Sequence, residues 1–126
     1  MMSSLEGVVV AIDDDPLMLK ALRRLLGASG FVVAAFESAE AFLASGVVDD
    51  VTCLVLDISL AGMSGFDLAR RLAISGHRVP IIFITAADNG ATREEAIEAG
   101  AVAYLTKPFQ AAVLIDAIHK AAPLMT

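Results

Sequence analysis

The sequence predicts an α/β fold of five strand–helix units around an open, parallel, five-stranded sheet. Short runs rich in β-branched residues recur at strand length, and the segments between them repeat apolar residues at helical spacing. The strand candidates are also apolar on both faces, as strands covered by helices on each side must be. A chain of 126 residues has room for one such domain with one core, and residues 1–126 are read as that domain.

The first strand candidate is Val8 to Ile12, and it ends at Asp13-Asp14-Asp15. A helix follows. Asp15 can cap it, Pro16 takes the first helical position where its missing N–H costs nothing, and Met18, Ala21, Leu22, Leu25 and Leu26 form an apolar stripe. Gly27 and Gly30 are its expected stop. The second strand is Phe31 to Phe36, and Ser38 begins a short second helix. The third strand, Val51 to Leu56, ends at Asp57, after which Ser64 with Asp67 three residues on begins the third helix.

Ile81 to Ile84 forms the fourth strand, followed by Thr85; Thr92 and Glu95 then have the spacing of a capping box for a fourth helix. Ala103 to Leu105 is the fifth strand and leads to Lys107-Pro108. The last helix runs from about Gln110 to Ala121, with Ala111, Leu114, Ile115 and Ile118 on one face, and Pro123 ends it.

Composition narrows the function. A net charge of -6 and a pI near 4.7 argue against a nucleic-acid surface, which needs clustered Lys or Arg. The pairs Arg23-Arg24 and Arg70-Arg71 read as solvated helix faces. Hydrophobic content of 57% and mean hydropathy of +0.73 are high, yet no apolar run approaches the roughly 18 residues of a membrane span. MMSSLEG has no basic region of a secretion signal. The single cysteine, Cys53, lies within an apolar run, so it reads as a buried hydrophobe in a protein of the reducing cytoplasm. His77 and His119 lack ligand spacing and read as surface residues.

The chemistry gathers where the apolar runs stop. Ligands of an open parallel sheet bind outside the carboxyl ends of its strands, and right-handed crossovers place the first strand beside the third. Asp13 and Asp14 should therefore approach Asp57. Carboxylates about 4 Å apart repel by about 4 kcal/mol per pair at an effective dielectric near 20, a cost that a cation relieves. Oxygen donors without His or Cys favour Mg²⁺, with Mn²⁺ able to substitute. Without the cation one carboxyl should hold a proton unusually well, so metal affinity should weaken as pH falls. A carboxylate in such a site can attack phosphorus, with Asp57 as nucleophile, Lys107 as a second positive charge and Thr85 as a donor to a phosphoryl oxygen. A cis bond at Lys107-Pro108 would turn the lysine toward the pocket.

The ordered set IDDDP, LVLDISLAGMSG, FITA and YLTKPF resembles the receiver domain of bacterial two-component response regulators over nearly the whole chain. That resemblance implies a flavodoxin-like, doubly wound fold with strand order 2-1-3-4-5 and helices on both faces. It implies Asp57 as the phosphoacceptor, Asp14 as a direct Mg²⁺ ligand, Asp13 as a ligand acting largely through water, and the backbone carbonyl of Ser59 as a further ligand. Thr85 and Tyr104 match the switch pair and Lys107 the phosphate-binding lysine. The implied partners are a sensor histidine kinase or a histidine phosphotransfer protein, together with an output protein that reads the last two helices and the strand between them. The chain would be a monomer or a weak dimer through that surface. The departure is Leu60-Ala61, where the family more often has methionine and proline.

Three other readings share parts of this pattern. A phosphorylation-independent interaction module would not need the full pocket. A small aspartyl-phosphate hydrolase would place a second aspartate two residues after the nucleophile, where Ser59 stands. A flavin carrier would not put three aspartates after its first strand.

Overall fold

The computed structural model describes residues 7–121. Five strands form one parallel sheet in the order β2-β1-β3-β4-β5: β1 (Val8–Ile12), β2 (Val33–Phe36), β3 (Val51–Asp57), β4 (Ile81–Thr85) and β5 (Ala103–Thr106). Between and after them lie α1 (Pro16–Ala28), α2 (Ala39–Ser45), a 3₁₀ turn over Val47–Asp50, α3 (Gly65–Ile74), α4 (Gly90–Glu98) and α5 (Ala111–Ala121). Order and direction are those expected. Val10 pairs with Ala34 on one side and Leu54 on the other, so β1 is an inner strand, with the central β3 beside it and paired onward through Leu56 to Phe83 of β4.

The period-two alternation of the strands splits the core into two layers. Val10, Ile12, Leu54, Leu56 and Phe83 pack against Phe42 of α2, Phe66, Leu68 and Leu72 of α3 and Ala96 of α4. Val9, Ala11, Cys53, Val55, Ile82 and Ile84 face Leu19, Leu22 and Leu26 of α1 and Leu114 and Ile118 of α5. Phe66 and Phe83 meet edge-on with ring centroids 5.0 Å apart, an arrangement that aromatic quadrupoles favour. Cys53 is buried and its thiol pKa is pushed up to about 12, chiefly because burial disfavours the thiolate.

Helix starts follow from local chemistry. Asp15 accepts the N–H of Leu17 at 3.0 Å ahead of Pro16, Ser38 accepts that of Ala41, and Ser64 and Asp67 form a reciprocal capping box. Four expectations are corrected. Thr92 lies inside α4, whose cap is Asn89, its side chain accepting the Thr92 N–H at 2.9 Å. Leu19 rather than Ala21 joins the buried face of α1, because Leu19, Leu22 and Leu26 are spaced three and four apart while Ala21 falls off that stripe and is exposed. Gly27 continues α1, which stops at Ser29 with Gly30 taking a φ of 94°. Burial on both faces holds for the inner strands but not for β2 and most of β5, which lie at the sheet edges and are half-buried. The last helix begins one residue after Gln110, and Pro123 lies outside the described residues.

Candidate functional site

The chain leaves β1 toward β2 on one side while β3 lies on the other, which opens a crevice at the carboxyl edge between β1 and β3. Asp13 directly follows β1, and Asp57 is the last residue of β3. Carboxylate oxygens of Asp13, Asp14 and Asp57 all lie within 4.8 Å of one another. Asp13 and Asp57 are buried, while Asp14 is exposed at the mouth.

Lys107 reaches the same place from β5. Its backbone N–H donates to the Thr85 carbonyl at 2.7 Å, extending the pairing of β4 and β5 by one step, and the Lys107-Pro108 bond is cis. Its ammonium Nζ stands 2.9 Å from Asp13 Oδ2 and 3.4 Å from Asp57 Oδ2. Burial alone would lower the lysine pKa, but the hydrogen bond to Asp13 and the charges of Asp57 and Asp13 outweigh it and raise the pKa.

Asp57 shifts upward as well. Burial is the main cause and the Asp13 charge adds to it, against the opposing pull of the Ser59 N–H and Lys107. One carboxyl of the triad thus holds its proton more tightly than an ordinary aspartate, as expected, with burial ahead of like charge as the reason.

Thr85 ends β4 on the strand next to Asp57 and is buried. Its Oγ1 accepts the N–H of Ala87 at 3.0 Å, which leaves the hydroxyl hydrogen available to a further acceptor. Tyr104 stands apart from the acidic cluster. Its hydroxyl donates to Asp88 Oδ1 at 3.0 Å, Arg93 donates to Asp88 Oδ2 at 2.7 Å, and the Arg93 guanidinium lies 4.7 Å from the tyrosine ring centroid. The hydrogen bond from Tyr104 is the main reason the Asp88 pKa is lowered.

The donor set suits a small hard cation. It is all oxygen, and Asp13, Asp14 and Asp57, each offering one carboxylate oxygen within 4.8 Å of the others, would hold such an ion and have their mutual repulsion relieved by it. The Ser59 N–H donates to Asp57 Oδ1 at 3.1 Å and that of Ala61 to Asp14 Oδ2 at 3.2 Å, which ties the loop after β3 to two of the three carboxylates.

The sequence did not single out Asp88 and Arg93, nor Glu40, whose carboxylate accepts the Met63 N–H at 2.9 Å. Glutamate in a first helical turn is too common to signal such a contact. His77 is half-buried rather than simply exposed, with Nε2 3.1 Å from Asp49 Oδ1 across the end of the sheet; His119 is exposed and lies against Phe31.

A family model described as the response regulator receiver domain matches residues 9–119. The chain belongs to this receiver family. As a receiver it is a signalling domain of the response regulators of two-component systems. It is 40% identical over 123 residues to the response regulator protein TmoT of Ectopseudomonas mendocina, covering 98% of this chain and 56% of that protein. The transcriptional regulatory protein FixJ of Azorhizobium caulinodans is 37% identical over 111 residues, covering 88% of this chain and 53% of FixJ. The receiver thus spans about half the length of the curated relatives it matches.

Among solved structures, the crystal structure of FixJ-N superposes with a TM-score of 0.85 at 36% identity, covering 100% of this chain and 98% of that one. A response regulator receiver protein from Burkholderia phymatum gives 0.80 at 36% identity, covering 95% and 98%. The flavodoxin-like order 2-1-3-4-5 is therefore the receiver fold. Among the described residues no helix is long and apolar enough to cross a membrane.

Proposed function

We propose that this receiver accepts a phosphoryl group on Asp57 from a histidine kinase or a histidine phosphotransfer protein, with Mg²⁺ held by Asp13, Asp14, Asp57 and the Ser59 carbonyl. The observation that carries the reading is the acidic triad within 4.8 Å with the Lys107 ammonium on two of its members. An oxygen of the Asp57 carboxylate forms the new bond to phosphorus as the bond to the donor's nitrogen breaks, and the leaving imidazole keeps that electron pair. Mg²⁺, when bound, neutralises charge on the transferred group and orients it. Lys107 supplies a second, fixed positive charge beside the developing oxyanions, and burial of Asp13 and Asp57 strengthens that attraction. The Thr85 hydroxyl, buried at the end of the strand next to Asp57, would donate to a phosphoryl oxygen.

Phosphorylation adds close to two negative charges to a pocket that is already acidic, so the edge of the sheet responds. Thr85 and Tyr104 lie on the paired strands β4 and β5, and the Asp88 cluster joins Tyr104 to the loop after Thr85. A rearrangement there alters the surface of α4, β5 and α5, which is where an output partner reads the state.

The test is incubation with acetyl phosphate and Mg²⁺ followed by intact mass. The parent should gain one phosphoryl group, and Asp57→Ala or parent with chelator should gain none. Equal uptake by Asp57→Ala would place the acceptor elsewhere.

A further inference from the structure

The loop from Ile58 to Ser64 joins Asp57 to α3 and has to hold its shape without a proline at position 61. Its backbone shows how. Three alternate N–H groups each meet a carboxylate from a different part of the fold: Ser59 to Asp57 at 3.1 Å, Ala61 to Asp14 at 3.2 Å and Met63 to Glu40 at 2.9 Å. A proline at 61 would have no hydrogen to give Asp14. At the far end the loop closes on itself, with the Gly65 N–H donating to the Ile58 carbonyl at 3.0 Å.

Two of the three anchors belong to the acidic triad, and Glu40 alone lies outside it. Glu40 sits in the first turn of α2, which packs over β1 and β3. Gly62 makes its approach possible: the residue takes a φ of 73°, and a Cβ there would stand 2.7 Å from Glu40 Oε2, closer than real contacts allow. The Met63 N–H is also the main reason the Glu40 pKa is lowered.

We infer that Glu40 is a positioning residue for the acidic site, holding the loop after β3 in register so that Ser59 and Ala61 stay on Asp57 and Asp14. This rests on the reading of Asp13, Asp14 and Asp57 as the cation and phosphoryl site. A cation held by Asp14 and Asp57 would share their pull on the loop amides, leaving Glu40 as the anchor outside the triad.

The experiment compares parent, Glu40→Ala and Glu40→Gln by amide hydrogen exchange in chelator and by Mg²⁺ titration calorimetry. Glu40→Ala should lose protection at Ala61 and Met63 and bind Mg²⁺ about tenfold more weakly, the lower end for residues that orient ligands. Glu40→Gln keeps an oxygen that accepts the Met63 N–H, so it should restore both to within about twofold of the parent, less than the tenfold of a full binding contact. Parent-like Mg²⁺ affinity in Glu40→Ala, or a Gln variant as impaired as Ala, would overturn the role of Glu40 while leaving the site intact. A parent that binds no Mg²⁺ would instead remove the site reading beneath it.

Discussion

Burial and the Asp13 charge pull on Asp57 against the Ser59 N–H and the Lys107 ammonium, and burial prevails. Its folded pKa lies above the ordinary aspartate value. Such a group favours folding when protonated, so that contribution is complete below the unfolded pKa and is lost as pH rises through the folded pKa. In metal-free buffer at neutral pH, Asp57→Asn should therefore unfold at a higher Tm than the parent, and the gain should vanish once the pH falls below the ordinary aspartate range. A gain independent of pH would show that desolvated charge is not its source. Asp13, Asp14, Asp57 and Lys107 were legible in the sequence because each follows an apolar run, and the parallel sheet brings such positions to one edge. Glu40 was not, since its bond to Met63 spans 23 residues and depends on the local shape of a loop. Asp88 was missed for a related reason: Tyr104 comes from β5, 16 residues on, and the five-residue step to Arg93 of α4 matches no helical or strand period.

Helix starts were legible where the local sequence marked one capping residue. Asp15 was singled out from Asp13 and Asp14 by the proline that follows it, and Ser64 by Asp67 three residues on. Thr92 with Glu95 was expected to start α4, yet the helix starts earlier because the Asn89 side chain reaches the Thr92 N–H. Asn89→Ala should cost about 1 kcal/mol of unfolding free energy, the usual loss of a cap. Thr92→Ala, within the helix, should stay within about 0.5 kcal/mol of the parent. Urea denaturation separates the two, and a larger loss at Thr92 would restore the later start. The same scale explains His77: the 3₁₀ turn that brings Asp49 to it has no strong periodic signature, so neither turn nor pair could be read beforehand.

For the molecule as a whole, the five parallel strands, their cover of helices on both faces and the pairing of the first strand with the third followed from alternation and handedness, while the full order 2-1-3-4-5 came from the resemblance to the receiver family. What alternation did not convey is how unequally the layers close at the edges, where β2 and most of β5 stay half-buried while β3 and β4 are covered. Stability should concentrate in the middle. Phe83, fully buried on β4 and packed against Phe66, should cost about 3–5 kcal/mol as Phe83→Ala, with the loss visible as a lower urea midpoint. A cost near that of an exposed site would mean the centre of the sheet relaxes far more than its packing suggests.

Cys53 lies on β3, four residues before Asp57 and sealed beneath α1 and α5. With its pKa near 12, almost none of it is thiolate at neutral pH, so maleimides and mild oxidants find nothing to attack while the fold is intact. A second cysteine introduced on an exposed helix would therefore take a fluorophore by itself, and the native sulfur would report separately, reacting only when the sheet opens.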